Sequence, residues 1–194
     1  MTGRSLRFEG PLATARGDAW SETTELAPAS FRVRLGGPFR GAWLAHLSGR
    51  LAAQRLSIDQ IHARCEPDDI WIAELHLACL PGSSDPLGID FPSLAEPGDP
   101  TRTAFELTAY RLVDSDAYGG SLMLTLEAPD SLGLLGALLG SLSQLGLFPV
   151  ELHIETREGR AYDSLWLAAT GGAPPPAALG DQARRLLDRA SGAA

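Results

Sequence analysis

The sequence LMLTLEAPDSLGLLGALLGSLSQLGLFPVELHIETREGRAYDSLWLAA, residues 122–169, decides the fold. Apolar residues alternate with polar or smaller ones over residues 122–126, which predicts a β-strand. Leucines at helical spacing follow over residues 134–145 and predict a helix that Gly146 ends. Two more alternating segments then flank the tight turn at residues 158–159 and predict a β-hairpin.

The same order of elements occurs earlier in the chain. A shift of 91 residues aligns residues 31–65 with residues 122–156 without a gap, with eight identical residues in 35 positions. Internal repeats of this kind indicate repeated structural units. We therefore divide the chain into a first unit, residues 1–97, and a second unit, residues 103–194. The Gly- and Pro-rich segment 81–100 is the natural linker.

Each copy predicts a βαββ order, and the second copy adds a helix over residues 177–190. In the first copy this second helix is missing or reduced to a short turn near residues 91–96. Segments 6–15 and 104–113 read as strands that lie antiparallel beside the first strand of their copies. The predicted fold class is α+β, with two ferredoxin-like βαββαβ units that are strand-permuted or incomplete. Their antiparallel sheets carry helices on one face.

Composition limits the class of protein. The 194 residues carry a net charge of −8, so a basic surface for nucleic-acid phosphates is not expected. Lysine is absent, which excludes Schiff-base and P-loop lysine chemistry. Residues 1–12 hold no apolar signal-peptide core, and Gly, Ser and Gln interrupt the apolar stretch 132–150. We therefore expect a cytoplasmic protein that binds neither nucleic acid nor membrane, with Cys65 and Cys79 as buried reduced thiols.

Two short motifs carry a family resemblance. Residues 128–135 read APDSLGLL and residues 156–167 read TREGRAYDSLWL. This stretch resembles the ACT domain, above all the tandem copies of bacterial nitrogen-sensing uridylyltransferases, plant ACT-repeat proteins and glycine-cleavage regulators. The pattern there is a strand, D-R-P-G-L-L, a helix, a strand and T-x-x-G-R-A-x-D-x-F. The residues at motif positions are Asp130, Gly133, Leu134, Leu135, Thr156, Gly159, Arg160, Ala161 and Asp163.

The resemblance implies a site for an amino acid or a similar small ligand, where the loop between the first strand and the first helix meets another domain. It places the site at Asp130, Ser131, Leu132 and Gly133 in the second copy, and at Gly37 and Phe39 in the first. A helix N-terminus in this position suits a carboxylate, because its first N–H groups have no partner within the helix. Asp130 or Ser131 is expected to cap the helix, and Asp130 could also accept a hydrogen bond from an α-amino group.

The predicted hairpin register places a polar cluster on the outer sheet face of the first copy. His62 is expected opposite Glu74, and Gln60 opposite His76, at about 5 Å between Cβ atoms. His62, Glu74 and His76 are residue types that bind metals. Nothing else in the sequence supports a metal, so we expect a polar interface patch with no metal and no cofactor.

The second copy predicts aromatic side chains on the same outer face. Tyr162 and Trp166 are expected across from Glu155 and Glu151, which favours packing against another domain or subunit. Asp163 is one of the alternating residues of its strand that are expected to face the core. A carboxylate there needs a partner such as Thr156 or Arg160. We expect a structural role for Asp163.

The leading interpretation is a regulatory ACT-type module that binds a small molecule, an amino acid above all. It would form a homodimer through sheet faces or edges and act on a partner enzyme. The alternative is a ligand-free ACT-type dimerisation or assembly module for a partner protein. A third reading is a metal-dependent enzyme on a ferredoxin-like scaffold. The sequence shows no G-x-S-x-G motif and no Cys–His dyad, so we expect no enzyme.

Overall fold

The computed structural model describes residues 18–66, 69–98 and 104–192. Within these ranges the chain is an α+β protein with eight strands in one antiparallel sheet and four α-helices. The strands are β1 (Trp20–Ala27), β2 (Ser30–Gly37), β3 (Leu56–Glu66), β4 (Ile70–Cys79), β5 (Ala109–Ser115), β6 (Ser121–Pro129), β7 (Leu147–Arg157) and β8 (Arg160–Ala169). The helices are α1 (Trp43–Ala53), α2 (Phe91–Leu94), α3 (Leu134–Gln144) and α4 (Ala177–Ala190).

The sheet order follows the sequence repeat. The strands lie in the order β1-β2-β4-β3-β7-β8-β6-β5, and every neighbouring pair is antiparallel. Strands related by the repeat therefore lie at equal distances from the central β3–β7 pair. His62 pairs directly with its repeat equivalent His153 at this centre. The division of the chain at residues 1–97 and 103–194 stays a prediction.

An extra strand flanks the first strand of each copy. β5 pairs with β6, so the prediction of a strand within residues 104–113 is confirmed in place, although its bounds are later in the chain. In the first copy, β1 occupies the equivalent position beside β2. The segment 6–15, which we expected in that position, lies outside the described residues. Both outermost strands of the sheet thus precede the first strand of their own copy.

Helices α1 and α3 pack closely against each other on one face of the sheet. A Cβ atom on Gly136 would lie 3.0 Å from the backbone nitrogen of Gly49 and 3.4 Å from the carbonyl oxygen of Ala45. Small residues at this contact let the two backbones approach. The leucines of both helices form the core, and each such buried side chain stabilises the fold by about 1.5–3 kcal/mol relative to exposure. The fully buried ones include Leu47, Leu51, Leu138 and Leu142.

The described part of the segment 81–100 packs on α1. Phe91 is completely buried, and Asp90 accepts a hydrogen bond from the backbone N–H of Ser93 at the start of α2. The guanidinium of Arg50 donates to the carbonyl oxygens of Ser93 and Leu94, at 2.9 Å each. Helix α2 is the short turn that we expected near residues 91–96 in place of a full second helix. In the described ranges, none of the helices has both the length and the apolar character to cross a membrane.

Candidate functional site

The loop between β6 and α3 forms a turn that depends on glycine. The backbone N–H of Leu134 donates to the carbonyl oxygen of Ser131 at 3.0 Å, and Gly133 has φ 91° and ψ −1°. These angles are those of the third residue of a type II turn, which glycine adopts without steric cost. Gly133 therefore holds the N-cap position, and no side chain caps α3. Our expectation that Asp130 or Ser131 caps this helix is wrong, because the turn places both before the cap.

This loop closes a small cavity against α1 and the start of β3. The cavity has a volume of about 40 Å³. That is enough for about one water molecule. Among its lining residues are the four predicted in the second copy, together with others from α1, β7 and β8. The full lining is Ser48, Ala52, Leu56, Ser57, Ile58, Asp130, Ser131, Leu132, Gly133, Leu134, Leu135, Gly136, Ile154, Thr156, Ala161 and Asp163.

Asp163 is the most unusual group in this cavity. Its side chain is 3% exposed, and neither carboxylate oxygen has a hydrogen-bond partner among the described residues. Thr156 and Arg160 do not bond to it as expected, and Arg160 instead pairs with Glu127. Burial raises the pKa of Asp163 to about 7, and the nearby carboxylate of Asp130 adds to this shift. The prediction that Asp163 faces the core is confirmed by its burial.

A few polar and acidic groups lie near Asp163 in a lining that is otherwise mostly apolar. The hydroxyl of Ser48 is buried and has no hydrogen-bond partner among the described residues. Burial raises the pKa of Asp130, and burial followed by the charge of Asp130 raises the pKa of Asp59 on β3. Leu135 and Gly136 also line the cavity, and a helix leaves the N–H groups of its first turn without partners inside the helix. The cavity thus pairs carboxylates with a helix N-terminus.

The two residues predicted in the first copy lie elsewhere. Neither Gly37 nor Phe39 lines the cavity. Phe39 stacks on Trp43 with ring centroids 4.8 Å apart, and Trp43 meets Trp71 edge-on at 5.3 Å. Gly37 lies close to Ala19, and a Cβ atom added to Gly37 would be 2.8 Å from the Cα atom of Ala19. The structure therefore brings together the four second-copy residues and leaves the two first-copy residues apart from them.

The outer face of the sheet, opposite the helices, is an open concavity of about 760 Å³. The expected pairs are confirmed, because His62 lies opposite Glu74 and Gln60 opposite His76. Glu74 forms an ion pair with Arg34 at 3.5 Å, and its other carboxylate oxygen lies 3.6 Å from Nε2 of His76. The first-copy part of this face is therefore a network of polar and charged side chains.

The centre of the outer face carries a group that the sequence did not predict, which we call the central histidine cluster (His62, Glu151 and His153). The two imidazoles stack with centroids 4.2 Å apart. Oε1 of Glu151 lies 2.7 Å from Nε2 of His153 and 3.8 Å from Nε2 of His62. Tyr118 donates to the other carboxylate oxygen of Glu151. The pairing of β3 with β7, which joins the copies, creates this cluster.

Burial and neighbouring charges set the protonation of this cluster. Burial lowers the pKa of His62, and the adjacent His153 lowers it further. Burial also acts to raise the pKa of Glu151, but hydrogen bonds from Tyr118 and His153 outweigh it, so the pKa lies below its ordinary value. The cluster therefore favours an ionised carboxylate beside an uncharged His62.

The aromatic side chains predicted on the outer face are partly exposed in the single chain. Tyr162 is 43% exposed, while Trp166 is half-buried. Trp166 lies opposite Glu151, and Tyr162 opposite Glu155, as expected. Cys65 and Cys79 are half-buried and not joined by a disulfide. Their expected complete burial is not observed.

Comparisons with known proteins give a similarity at the level of solved structures. No protein-family model matches the sequence, and the search of curated proteins finds no match. Among solved structures, the chain is similar to aspartate kinase from Synechocystis, with a TM-score of 0.47 and 12% identity. This similarity covers 83% of the present chain and 26% of that chain, so the chain spans about a quarter of the enzyme it matches.

Proposed function

We propose that the chain is a regulatory ACT-type module whose two ferredoxin-like units hold an amino acid at the cavity beside Asp130–Gly133, and that it is not itself an enzyme. The observation that carries this proposal is the buried carboxylate of Asp163, which lines the cavity without a hydrogen-bond partner among the described residues. A buried carboxylate without a partner costs stability. A positively charged α-amino group would supply the missing partner.

The other end of an amino acid also finds a matching group. The N-terminus of α3 presents backbone N–H groups and the positive end of the helix dipole, which suit a carboxylate. Asp130 and Asp163 bring two carboxyl groups to the same cavity. A zwitterion thus complements both kinds of group in the cavity. The ACT resemblance supports the same loop through Asp130, Gly133 and Asp163.

Ligand entry requires movement, because a cavity of about 40 Å³ is too small for an amino acid. The loop leads into α3 and lies against the second half of α1, where a Cβ on Gly133 would be 3.6 Å from that of Ala52, so a ligand that enters would separate the two copies at this point. A partner could recognise this change if the ligand binds the open arrangement more tightly than the closed one. The regulatory output would follow from that difference in affinity.

The experiment is a thermal-shift screen of the purified chain against the twenty amino acids. A ligand at one hundred times its dissociation constant stabilises the fold by about 2.7 kcal/mol. For a protein of this size that corresponds to a rise in Tm of about 5–10 °C. Asp163→Asn and Asp130→Ala should each abolish the shift, measured against the unliganded form of the same variant. Asp181→Asn, on the exposed surface of α4, is the matched control and should keep the shift.

The small size of the cavity favours a second function, a ligand-free assembly module. In that case no amino acid raises the Tm of the chain, and the partly exposed aromatics of the outer face pack against another copy. Analytical ultracentrifugation of the wild type and of Tyr162→Ser would then show a dimer that the substitution weakens. An amino acid that raises the Tm of both the wild type and Asp163→Asn would contradict both the proposed site and the assembly function.

A further inference from the structure

We propose that the central histidine cluster binds one divalent transition-metal ion, with Zn²⁺ the best match. His62, Glu151 and His153 each offer one ligand atom, and these atoms lie within 4.8 Å of one another. The site is on the outer face of the sheet, whereas Asp163 and the amino-acid cavity are on the helix-covered face. The proposal therefore does not rest on the proposed function.

The two distances from the Glu151 oxygen to the imidazole nitrogens lie near those of a tetrahedral site. Zn–N and Zn–O bonds of about 2.0–2.1 Å require donor atoms separated by about 3.3 Å. Glu151 Oε1 lies 2.7 Å from one imidazole nitrogen and 3.8 Å from the other, on either side of this value. The two imidazole planes are stacked, 21° apart, so each ring must rotate about its side-chain torsions before both nitrogens point at one ion.

The backbone holds the donors in place. β3 and β7 are hydrogen-bonded neighbours, and His62 lies directly opposite His153. Glu151 lies two residues before His153, so both side chains point to the same face of β7. Loops contribute none of the three ligands, and a site built on strands is held more rigidly than one built on loops.

A second layer of contacts orients two of the ligands. The hydroxyl of Tyr118 donates to Glu151 Oε2, which leaves Oε1 directed at the imidazoles. The indole of Trp166 contacts the ring of His153 edge-on at 5.7 Å and that of Tyr118 at 6.1 Å. Partners of metal ligands fix ligand orientation in this way and strengthen binding. Tyr118 is thus a positioning residue for the site.

The donor set selects the kind of metal. Two imidazoles and one carboxylate suit Zn²⁺ and other first-row divalent ions, whereas Mg²⁺ and Ca²⁺ prefer oxygen ligands alone. Arg64 lies opposite Glu151, but its guanidinium is engaged by Glu66. With three protein ligands, the fourth position of a tetrahedral ion faces solvent in the concavity. Such an open position can accept water or an anionic group.

The test uses the untagged full chain after dialysis against EDTA. Isothermal titration with ZnCl₂ should show one ion bound per chain, and CoCl₂ should give the visible absorption of a four-coordinate Co²⁺ complex. His62→Gln and His153→Gln should each abolish the Co²⁺ absorption and weaken Zn²⁺ binding by at least about tenfold, since each removes one ligand. Tyr118→Phe should weaken it by about tenfold because it releases Glu151.

The two other histidines of the chain provide matched controls. His46→Gln on α1 and His76→Gln on β4 should leave both the Zn²⁺ affinity and the Co²⁺ spectrum unchanged. Cys65→Ser and Cys79→Ser should behave in the same way, and far-ultraviolet circular dichroism should show that every variant is folded.

Three results would overturn the proposal. The wild type could give neither heat nor absorption. The double variant His62→Gln/His153→Gln could bind Zn²⁺ as the wild type does. His76→Gln could lose as much affinity as His62→Gln, which would place the ion on the first-copy histidines instead. Because amino-acid binding is measured at Asp130 and Asp163, failure of one proposal leaves the other intact.

Discussion

The loop between the first strand and the first helix is built differently in the two copies, although the strands around it pair in the same register. In the first copy, Trp71 of β4 pairs with Gly37 of β2 on one side and with Cys65 of β3 on the other. In the second copy, Ala161 of β8 takes the equivalent place between β6 and β7. The same arrangement of strands therefore holds a different central side chain in each copy.

Aromatic rings fill the space beside this loop in the first copy. Phe39, Trp43 and Trp71 stand where the second copy has Asp130, Leu134 and Ala161, and Trp43 is 1% exposed. Ala73 stands where the second copy has Asp163. The first copy thus gains packing energy at this place, while the second keeps a cavity with a buried carboxylate. Equivalent positions of the repeat thus contribute to stability in the first copy and form a candidate binding site in the second.

The largest effect is expected from Trp43→Ala. Removing this buried ring should lower the free energy of unfolding by about 3–5 kcal/mol, because it leaves a cavity between α1 and β4. Urea denaturation followed by circular dichroism measures the loss. Trp166→Ala, on the half-buried outer face, is the matched control and should cost less than half as much. Equal costs would show that the first-copy stack is no special source of stability.

The next effect concerns the second copy and depends on pH. Folding raises the pKa of Asp163 from an ordinary 3.8 to about 7, so between these values the folded state binds the extra proton. Stability from this group is therefore highest at low pH and falls as the pH rises, by about 1.4 kcal/mol for each pH unit between 5 and 7. Above pH 7 the full penalty of the buried charge is present.

Asp163→Asn should remove this slope, because the amide does not ionise. Denaturation at pH 5, 6, 7 and 8 compares the variant with the wild type, and Asp181→Asn provides an exposed carboxylate as control. We expect the Asn variant to become the more stable of the two at pH 8. Parallel pH profiles for Asp163→Asn and the wild type would show that the carboxylate is solvated or paired in the native chain.

Much of the fold follows from local sequence patterns. The predicted helix over residues 177–190 matches α4, and the Glu158-Gly159 turn set the β7–β8 register through Ile154 opposite Asp163. Counting residues back from the same turn predicts Val150 opposite Leu167, which is wrong, because a bulge between Pro149 and Glu151 leaves Pro149 opposite Leu167. A bulge adds one residue to one strand, and alternation alone does not reveal it.

The contacts between the copies were less accessible to sequence reasoning. The pairing of β3 with β7 joins segments 91 residues apart, and no local motif specifies it. Local patterns therefore place His62 only beside Glu74 and His76 of its own copy and do not predict its contact with His153. The signal was present in the repeat itself, since an antiparallel pair of equivalent strands brings equivalent residues together. The candidate loop, in contrast, could be identified because its motif lies in one short stretch.

The smallest effect tests the loops by exchanging one residue between them. Gly133 has φ 91°, whereas its equivalent Ala42 has φ −87°. Gly133→Ala should lower the free energy of unfolding by about 1–2 kcal/mol, because a side chain disfavours left-handed backbone. Ala42→Gly should change it by no more than a few tenths of a kcal/mol, since glycine is a better N-cap than alanine and offsets its greater flexibility. The two variants are compared by urea denaturation at one pH. Equal losses would mean that both turns tolerate a side chain equally, and the glycine-dependent turn would then no longer distinguish the candidate binding loop from the aromatic one.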